Sequence, residues 1–235
     1  MIVSINQPAY LPYPGYFHRI EVSDIHIVLD HVQFEKNSLT NRNKIRNKDG
    51  WSWLTVPLKT KGKFGNLPIN EVEISNTGNW KKKHWNSIKS NYSKAIFFCD
   101  HADFFEKIFE RDWTKLIDLI KETTDYSLDV FNSKTTIMYS SQMRVKGKKD
   151  ELVLNLCKEV GADIYLSGIM GKDYLDEEKF IESGIKVYYQ NYNFPEYNQV
   201  FPGFEPYMSV IDLLFNHGPD SKKIFLKDQE EIIDT

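Results

Sequence analysis

The first loop of the chain combines a stiff backbone with side chains that can bind and protonate a ligand. Pro8, Pro12 and Pro14 restrict the backbone on the way to Gly15, which a simple connector would not need. Amides at the start of the helix after Gly15 can hold a phosphate. The polar groups that we expect to face a pocket are Gln7, Tyr10, Tyr13, Tyr16, His18 and Asp30. Histidine side chains ordinarily titrate near neutral pH, so His18 is a candidate acid or base, and an ordinary helix residue is the alternative.

A basic segment follows the second predicted strand. Arg42, Lys44 and Arg46 alternate with other residues, so an extended backbone places them on one face, where they can grip a diphosphate. Gln33 and Asn41 add amide groups nearby. The alternative is a solvated loop, because Asn-Lys-Asp-Gly is a typical turn sequence.

Two further polar segments come directly after strands in the second half. Ser167 and Gly168 precede Lys172 and Asp173, which supply a cation and a possible base. The later segment, residues 190–199, is rich in amide and phenol groups, including Tyr197, that can bind sugar hydroxyls. The alternative interpretation of this segment is a loop whose side chains form hydrogen bonds within the protein.

Several standard chemistries lack their sequence patterns. The histidines form no H-x-x-x-H pair and no cluster with cysteine, so we predict no metal site. The chain has no G-x-S-x-G elbow, Walker A loop or G-x-G-x-x-G fingerprint. Covalent hydrolase chemistry and the usual nucleotide loops are therefore disfavoured.

Alternating strands and helices must position these groups. The chain opens as strand, loop, helix and strand, and strands are predicted again at residues 135–139, 164–167 and 185–189. We predict an α/β fold: a mostly parallel sheet flanked by helices, with ligands at the carboxyl ends of the strands. Residues 1–219 form a single domain with a β-rich insertion at about 31–78, which includes a strand from Ile69 to Ile74, and residues 220–235 form a C-terminal extension.

Composition limits the partners. The 235 residues carry a formal net charge of -3, which excludes a globally basic nucleic-acid binder, so charge gives no support to tRNA as a partner. Cys99 and Cys157 stand apart in apolar settings, as buried thiols of a reducing compartment do. No run approaches the roughly 20 apolar residues of a membrane span, and we expect a cytoplasmic protein without membrane insertion.

The chain resembles the WbqC-like protein family. The motifs that carry the resemblance occur in order along nearly the whole chain: Gln7 to Pro12, Gly15 to His18, Asp30 with Val32 to Phe34, Asn41 to Asn43, Trp53 to Pro57, Tyr165 to Gly168, and Pro195 to Tyr197. The resemblance implies a bacterial protein of O-antigen or surface-polysaccharide gene clusters. It also implies a role in attaching amino acids or other acyl groups to amino-sugars.

At the level of the fold, the first strand and loop are similar to the nucleotidyltransferase-like (HUP-like) core, in which an H-x-G-H loop binds ATP phosphates. Tyr13 and Tyr16 stand in this chain where that pattern has histidines. The similarity implies ATP as a possible cofactor, the two tyrosines count against it, and no other cofactor is implied.

Together these features predict a transferase or ligase that forms an amide on a nucleotide-linked amino-sugar. Arg42, Lys44 and Lys172 would bind phosphate, the polar and aromatic loops would orient the sugar, and His18, Asp30 or Asp173 would take the amine proton. The acyl or aminoacyl donor stays open between an amino acid with ATP, an aminoacyl-tRNA and an acyl-CoA. The alternative is a non-catalytic nucleotide-sugar binding or assembly protein of the same pathway.

Overall fold

The computed structural model of the chain describes residues 1–63, 65–227 and 229. Its strands, in chain order, are β1 (Ile2–Asn6), β2 (Ile25–Val28), β3 (Arg42–Asn47), β4 (Gly50–Thr55), β5 (Thr136–Tyr139), β6 (Ile164–Gly168) and β7 (Lys186–Gln190). Its α-helices are α1 (Pro14–Glu21), α2 (Trp80–Tyr92), α3 (Phe98–Glu110), α4 (Leu116–Val130), α5 (Lys149–Glu159), α6 (Glu177–Glu182), α7 (Val210–His217) and α8 (Ser221–Leu226).

Five strands form one sheet in the order β5-β2-β1-β6-β7, and every neighbouring pair is parallel. The predicted α/β class is thus confirmed. The chain moves from β1 to β2 on one side and returns to β6 on the other, so a crevice opens between the carboxyl ends of β1 and β6. The nucleotidyltransferase-like detail of the fold stays a prediction.

Side chains on the two faces of β1 enter different layers. Val3 and Ile5 pack in a hydrophobic cluster with Leu156 of α5 and Phe180 of α6. Ser4 points the other way, where its hydroxyl lies 2.8 Å from His26 Nδ1 under α1. The sheet is therefore covered on both faces, as parallel sheets require.

A long crossover separates β2 from β5 and contains the hairpin β3–β4 together with α2, α3 and α4. The predicted strand from Ile69 to Ile74 is wrong. Residues Ile69–Glu71 form a 3-10 turn, and Ile69 and Val72 are both fully buried, so the apolar spacing there is three rather than two. At the end of the segment Glu73 and Ile74 make isolated bridges, to Lys115 and Leu58.

The carboxyl-terminal helices complete the core. Ser209 caps α7, its hydroxyl accepting from the Ile211 amide. Phe225 of α8 is fully buried and packs edge-on against Phe131. The boundary at residue 219 stays a prediction, and residues 228 and 230–235 of the predicted extension lie outside the described residues.

Two sequence-based expectations concern accessibility. Cys157 is buried, which raises the pKa of its thiol to about 12, but Cys99 is exposed because it lies on the outer side of α3. In the described part of the chain, no helix has both the length and the apolar character that crossing a membrane requires.

Candidate functional site

A cavity of about 500 Å³ opens at the carboxyl edge of the sheet, next to the crevice between β1 and β6. Its walls come from the opening loop and α1, the hairpin, the segment after β6, and the long loop after β7. The lining residues are Tyr13, Arg19, Leu39, Asn43, Lys44, Trp53, Ile169, Gln190, Asn191, Tyr192, Phe194 and Tyr207. Cations, amides and aromatic rings predominate, which suits an anionic ligand that carries a ring.

Arg19 brings a positive charge into this cavity from α1. Arg19 is only 7% exposed. Its guanidinium donates from Nε to Gln190 Oε1 (2.9 Å) and from Nη1 to Asn6 Oδ1 (2.8 Å). Both acceptors are neutral amides. Within the described residues, no carboxylate lies within 4 Å of the Arg19 guanidinium. A largely buried cation without a counter-ion is costly, so this geometry favours binding an anion.

Gly168 explains how the guanidinium fits at the end of β6. A Cβ atom on this residue would lie 2.9 Å from Arg19 Nη2 and 3.2 Å from Cζ, both too close. The backbone itself is ordinary, with φ at -73°, so the missing side chain rather than backbone freedom matters here. Gly168 thus leaves room for the Arg19 guanidinium at the end of β6.

Gln190, at the end of β7, fixes the protonation of His18. Because Arg19 can only donate, the Gln190 oxygen faces Arg19, and the Gln190 amide nitrogen then faces the Gly15 carbonyl (2.9 Å) and His18 Nδ1 (2.7 Å). His18 Nδ1 must therefore accept, and the ring proton resides on Nε2. Burial, with help from the Arg19 charge, lowers the pKa of His18 to about 4, so the imidazole is neutral at pH 7.

Aromatic side chains form the outer part of the cavity. Tyr13 stacks on Phe194 with ring centroids 5.7 Å apart, and Phe194 contacts Tyr207 at 4.1 Å. Tyr207 is 58% exposed and has a φ of 64°, which is a strained backbone for a residue other than glycine. Gly15 lets Tyr13 and Tyr192 approach, because a Cβ there would lie 2.4 Å and 2.6 Å from their rings.

The hairpin forms the facing wall through Asn43, Lys44 and Trp53. It is fastened to the opening loop, since Asn43 Nδ2 donates to the Leu11 carbonyl at 2.7 Å. Lys44 and Trp53 are cross-strand partners in the β3–β4 register, and Lys44 Nζ lies 5.5 Å from the Trp53 ring. The predicted extended conformation of residues 42–46 is therefore present, and it places Lys44 in the cavity.

The long loop of residues 191–209, which lies between β7 and α7, contains no helix or strand and supplies Tyr192, Phe194 and Tyr207 to the cavity. Its middle is fastened to Asp212 of α7, whose Oδ2 accepts from Tyr197 Oη and Gln199 Nε2, both at 2.9 Å. Asp212 is fully buried, and desolvation raises the pKa of its carboxyl. The loop is thus held by buried hydrogen bonds rather than by regular structure.

Of the residues that the sequence nominates, Tyr13 and Lys44 line the cavity. Ser167 and Gly168 lie below it at the end of β6, and His18 is behind the wall, with its ring centroid 5.3 Å from that of Tyr192. The expectation that Tyr10 and Tyr16 present their hydroxyls to a pocket is not met. Tyr10 is fully buried with its hydroxyl 3.1 Å from His84 Nδ1, and Tyr16 packs edge-on against His26.

Most other nominated residues hold the fold together. Asp30 accepts hydrogen bonds from the Ser140 hydroxyl and from the Ser141 amide and hydroxyl. Tyr197 anchors the long loop through its bond to Asp212. Three other nominated residues form hydrogen bonds within the insertion of residues 31–78. Gln33 donates to the Phe34 carbonyl and accepts from the Leu67 amide, Asn41 donates to the Val56 carbonyl, and Arg42 donates to the Asn37 carbonyl. The buried Arg46 also binds backbone carbonyls, of Gly50 and Pro202 among others, rather than facing a ligand.

Three nominated residues, Gln7, Lys172 and Asp173, are exposed near the carboxyl edge and do not belong to the cavity lining. Their roles stay predictions.

Sequence reasoning missed Arg19 and Asn6, and it named Gln190 only as part of a segment predicted to bind sugar hydroxyls. Arg19 sits among Phe17, His18 and Ile20, and a single cation in a short helix is usually a surface residue. The available signal was position: Asn6, Gly168 and Gln190 each end a strand of the parallel sheet, and such ends meet at one edge.

A parallel sheet covered on both faces, with a polar and aromatic cavity next to its switch point, defines the open-sheet α/β class of protein. Within that class, this chain belongs to the WbqC-like protein family, whose sequence model matches residues 7–224. A relative from Mycobacterium tuberculosis (strain ATCC 25618 / H37Rv), Uncharacterized protein Rv1507c, is 35% identical over 221 residues, which cover 93% of this chain and 95% of the relative. No solved structure matches the chain.

Proposed function

We propose that this protein forms an amide between an amino acid, or another acyl group, and the amine of a nucleotide-linked amino-sugar in bacterial O-antigen or surface-polysaccharide biosynthesis. The observation that carries the proposal is Arg19, a buried cation whose protein partners are neutral and which borders an aromatic cavity. A nucleotide-linked sugar offers the matching groups: phosphates, a flat base and a hydroxylated ring.

The walls suit these parts of the ligand. The Arg19 guanidinium can bind phosphate oxygens with the N–H groups that Asn6 and Gln190 do not use. Asn191 also belongs to the lining, where an amide can bind a sugar hydroxyl. Rings such as Tyr13 and Phe194 give flat apolar surface for a sugar or a base.

The lining favours a donor that is already activated. Among the described lining residues there is no carboxylate and no imidazole, so the cavity orients its ligands more readily than it transfers protons. With an ester or thioester donor, the neutral amine attacks the acyl carbon and a C–N bond forms. The C–O or C–S bond breaks, and the leaving hydroxyl or thiol takes the proton that the amine loses.

The second candidate function is non-catalytic binding of the same nucleotide-linked sugar. It is favoured because two of the three nominated bases already accept hydrogen bonds from the protein. His18 Nδ1 accepts from Gln190, and Asp30 accepts from Ser140 and Ser141. Neither group lines the cavity. A protein that only binds its ligand needs no free base.

One experiment separates the two candidates. The purified protein is incubated with nucleotide-linked amino-sugars and, in turn, glycine with ATP, glycyl-tRNA and acetyl-CoA, and the sugar is examined by mass spectrometry. We expect a mass gain of one acyl group with one of the donors, and we expect Arg19→Lys to lower the rate about 10-fold or more because it loses the planar fork.

Binding of the nucleotide-linked sugar without any mass gain would overturn catalysis and support the binding protein. Absence of binding to every nucleotide-linked amino-sugar would overturn both candidates. Thermal unfolding of Arg19→Lys serves as the control for folding.

A further inference from the structure

The outward face of the β3–β4 hairpin carries two tryptophans and two cations. Trp51 and Trp53 are 42% and 38% exposed, and their ring centroids lie 5.7 Å apart in an edge-to-face arrangement. Arg42 Cζ lies 4.4 Å from the Trp53 ring, and Lys44 Nζ lies 4.0 Å from the Trp51 ring. Exposed tryptophans paired in this way are uncommon on a protein surface, and they indicate a binding surface.

Only two of these four side chains line the cavity. Trp53 and Lys44 belong to the lining, whereas Trp51 and Arg42 do not. Arg42 already covers part of the Trp53 ring and is also bonded to the Asn37 carbonyl. The surface of Trp53 that borders the cavity is therefore the surface left for a ligand, and Lys44 brings a second cation to a cavity that already contains Arg19.

We infer that the hairpin wall is the nucleobase subsite of the cavity. Trp53 stacks on the base and Lys44 meets the phosphate next to the nucleoside, while Arg19 binds the following phosphate. The inference rests on the proposed function, because it assigns the parts of a nucleotide-linked sugar to the walls of the same cavity. Stacking on a tryptophan is sequence-tolerant and strong, and a cation next to it supplies the charge that a nucleoside diphosphate needs.

A nucleic-acid strand fits this face less well than a single nucleotide does. The whole chain has a formal net charge of -3, and the hairpin face contributes only Arg42 and Lys44 beside the two tryptophans. A strand needs a longer track of cations for successive phosphates. The wall also borders a cavity of about 500 Å³, a size that suits one small molecule.

The hairpin offers matched controls for a test. Trp53→Leu and Lys44→Met change the residues that line the cavity, and Trp51→Leu and Arg42→Met change their neighbours on the same face. UDP, pyrophosphate and uridine are titrated into each protein by calorimetry. We expect Trp53→Leu to weaken UDP binding roughly 10-fold and to leave pyrophosphate binding unchanged. Lys44→Met should weaken both ligands. The two control variants change residues that contact Lys44 and Trp53 without lining the cavity, so they should weaken UDP clearly less than Trp53→Leu does.

The outcomes distinguish this inference from the proposed function. UDP binding that is unchanged by Trp53→Leu, or weakened equally by Trp51→Leu, would overturn the base subsite while leaving amide formation open to its own test. UDP binding that depends on Trp53, in a protein that acylates no nucleotide-linked sugar, would support the subsite and refute the transferase. Quenching of tryptophan fluorescence by UDP, retained in Trp51→Leu and lost in Trp53→Leu, provides a second readout in proteins whose thermal unfolding is unchanged.

Discussion

The proposed ligand is inferred mainly from the environment of Arg19, a buried cation with neutral partners. A guanidinium stays charged at any pH at which the protein is folded, so its burial must be offset by partners. Here the partners that the structure shows are the amides of Asn6 and Gln190, which supply dipoles and no negative charge. In the proposed function, the phosphates of the ligand supply that charge.

Asn6→Asp tests this view directly. The substitution keeps an acceptor for Arg19 Nη1, now 2.8 Å away, and adds the carboxylate that the site lacks. We expect affinity for pyrophosphate or UDP to fall about 10-fold or more, because the new carboxylate competes for Arg19 and repels the anion. Calorimetry measures the affinity, and thermal unfolding measures the stability.

Asn6→Ala is the matched control, since it removes the acceptor without adding a charge. Its effect on affinity should be clearly smaller than that of Asn6→Asp. Equal losses in the two variants would mean that the charge of Arg19 is not what binds the anion.

At the scale of elements, the end of β6 and α1 are built to fit one another. Gly168→Ala would insert a methyl group 2.9 Å from Arg19 Nη2, and the guanidinium would have to move. We expect a loss of about 1–3 kcal/mol in the free energy of unfolding, together with weaker anion binding. Urea unfolding and calorimetry check the two effects separately.

Gly184→Ala is the control, because it should lower the stability by a similar amount without any contact with Arg19. Gly184 has a φ of 76°, and a Cβ atom there would meet no other described group within 4 Å. Alanine at this position therefore costs about 1–2 kcal/mol through the backbone alone. Anion affinity should be unchanged in this variant. If Gly184→Ala weakened binding as much as Gly168→Ala does, general destabilisation would account for both.

The loop of residues 191–209 depends on Asp212 for its position. Tyr197→Phe removes a 2.9 Å hydrogen bond to that buried carboxyl, and we expect a cost of about 1–3 kcal/mol in stability. Hydrogen exchange should also become faster in this loop, and UDP affinity should fall, because the loop supplies Tyr192, Phe194 and Tyr207 to the cavity.

Tyr189→Phe is the corresponding control, since the Tyr189 hydroxyl donates to the exposed side chain of Glu177 at 2.6 Å. Loss of that bond should cost less than about 1 kcal/mol. Exchange in residues 191–209 that is equally slow in both variants would contradict the anchoring role of Asp212.

At the scale of the whole molecule, buried neutral histidines make stability depend on pH. Burial lowers the pKa of His84 to about 4 and, with the Arg19 charge, that of His26 to about 3, whereas an unfolded chain has values near 6.5. Below pH 6.5 the unfolded chain therefore binds more protons than the folded protein does. We expect each histidine to cost about 2 kcal/mol between pH 6.5 and pH 5, and none of this cost above pH 6.5.

Urea unfolding at pH 5 and pH 7 measures this change in the free energy of unfolding. His84→Asn should reduce the pH dependence by the share of one histidine, even if its stability at pH 7 is lower because the contact with Tyr10 has changed. An unchanged pH dependence in this variant would show that His84 does not contribute.

Local patterns predicted much of the scaffold. Strands at residues 136–139, 164–168 and 186–190 lie within one residue of their predicted bounds. The cap of α7 is Ser209, a residue type typical of that position. These features depend on side-chain periodicity and on capping over a few positions. The strand predicted from Ile69 to Ile74 failed because contacts with distant residues, including the Val32 carbonyl that accepts from the Ile69 amide, override a short apolar run.

The sequence by itself determined the α/β class, the parallel strands and the edge at which polar loops gather, since all of these follow from short-range periodicity and a fixed rule of sheet geometry. Only the tertiary structure decided which polar side chains line the cavity and which are tied up inside the protein. Asp30 and Tyr197 find buried partners, while Arg19, from a helix that looks ordinary, has no carboxylate within 4 Å among the described residues. Such pairings join groups far apart in the chain, as Arg19 and Gln190 are, and hydrogen bonds of this kind form only after the backbone has folded.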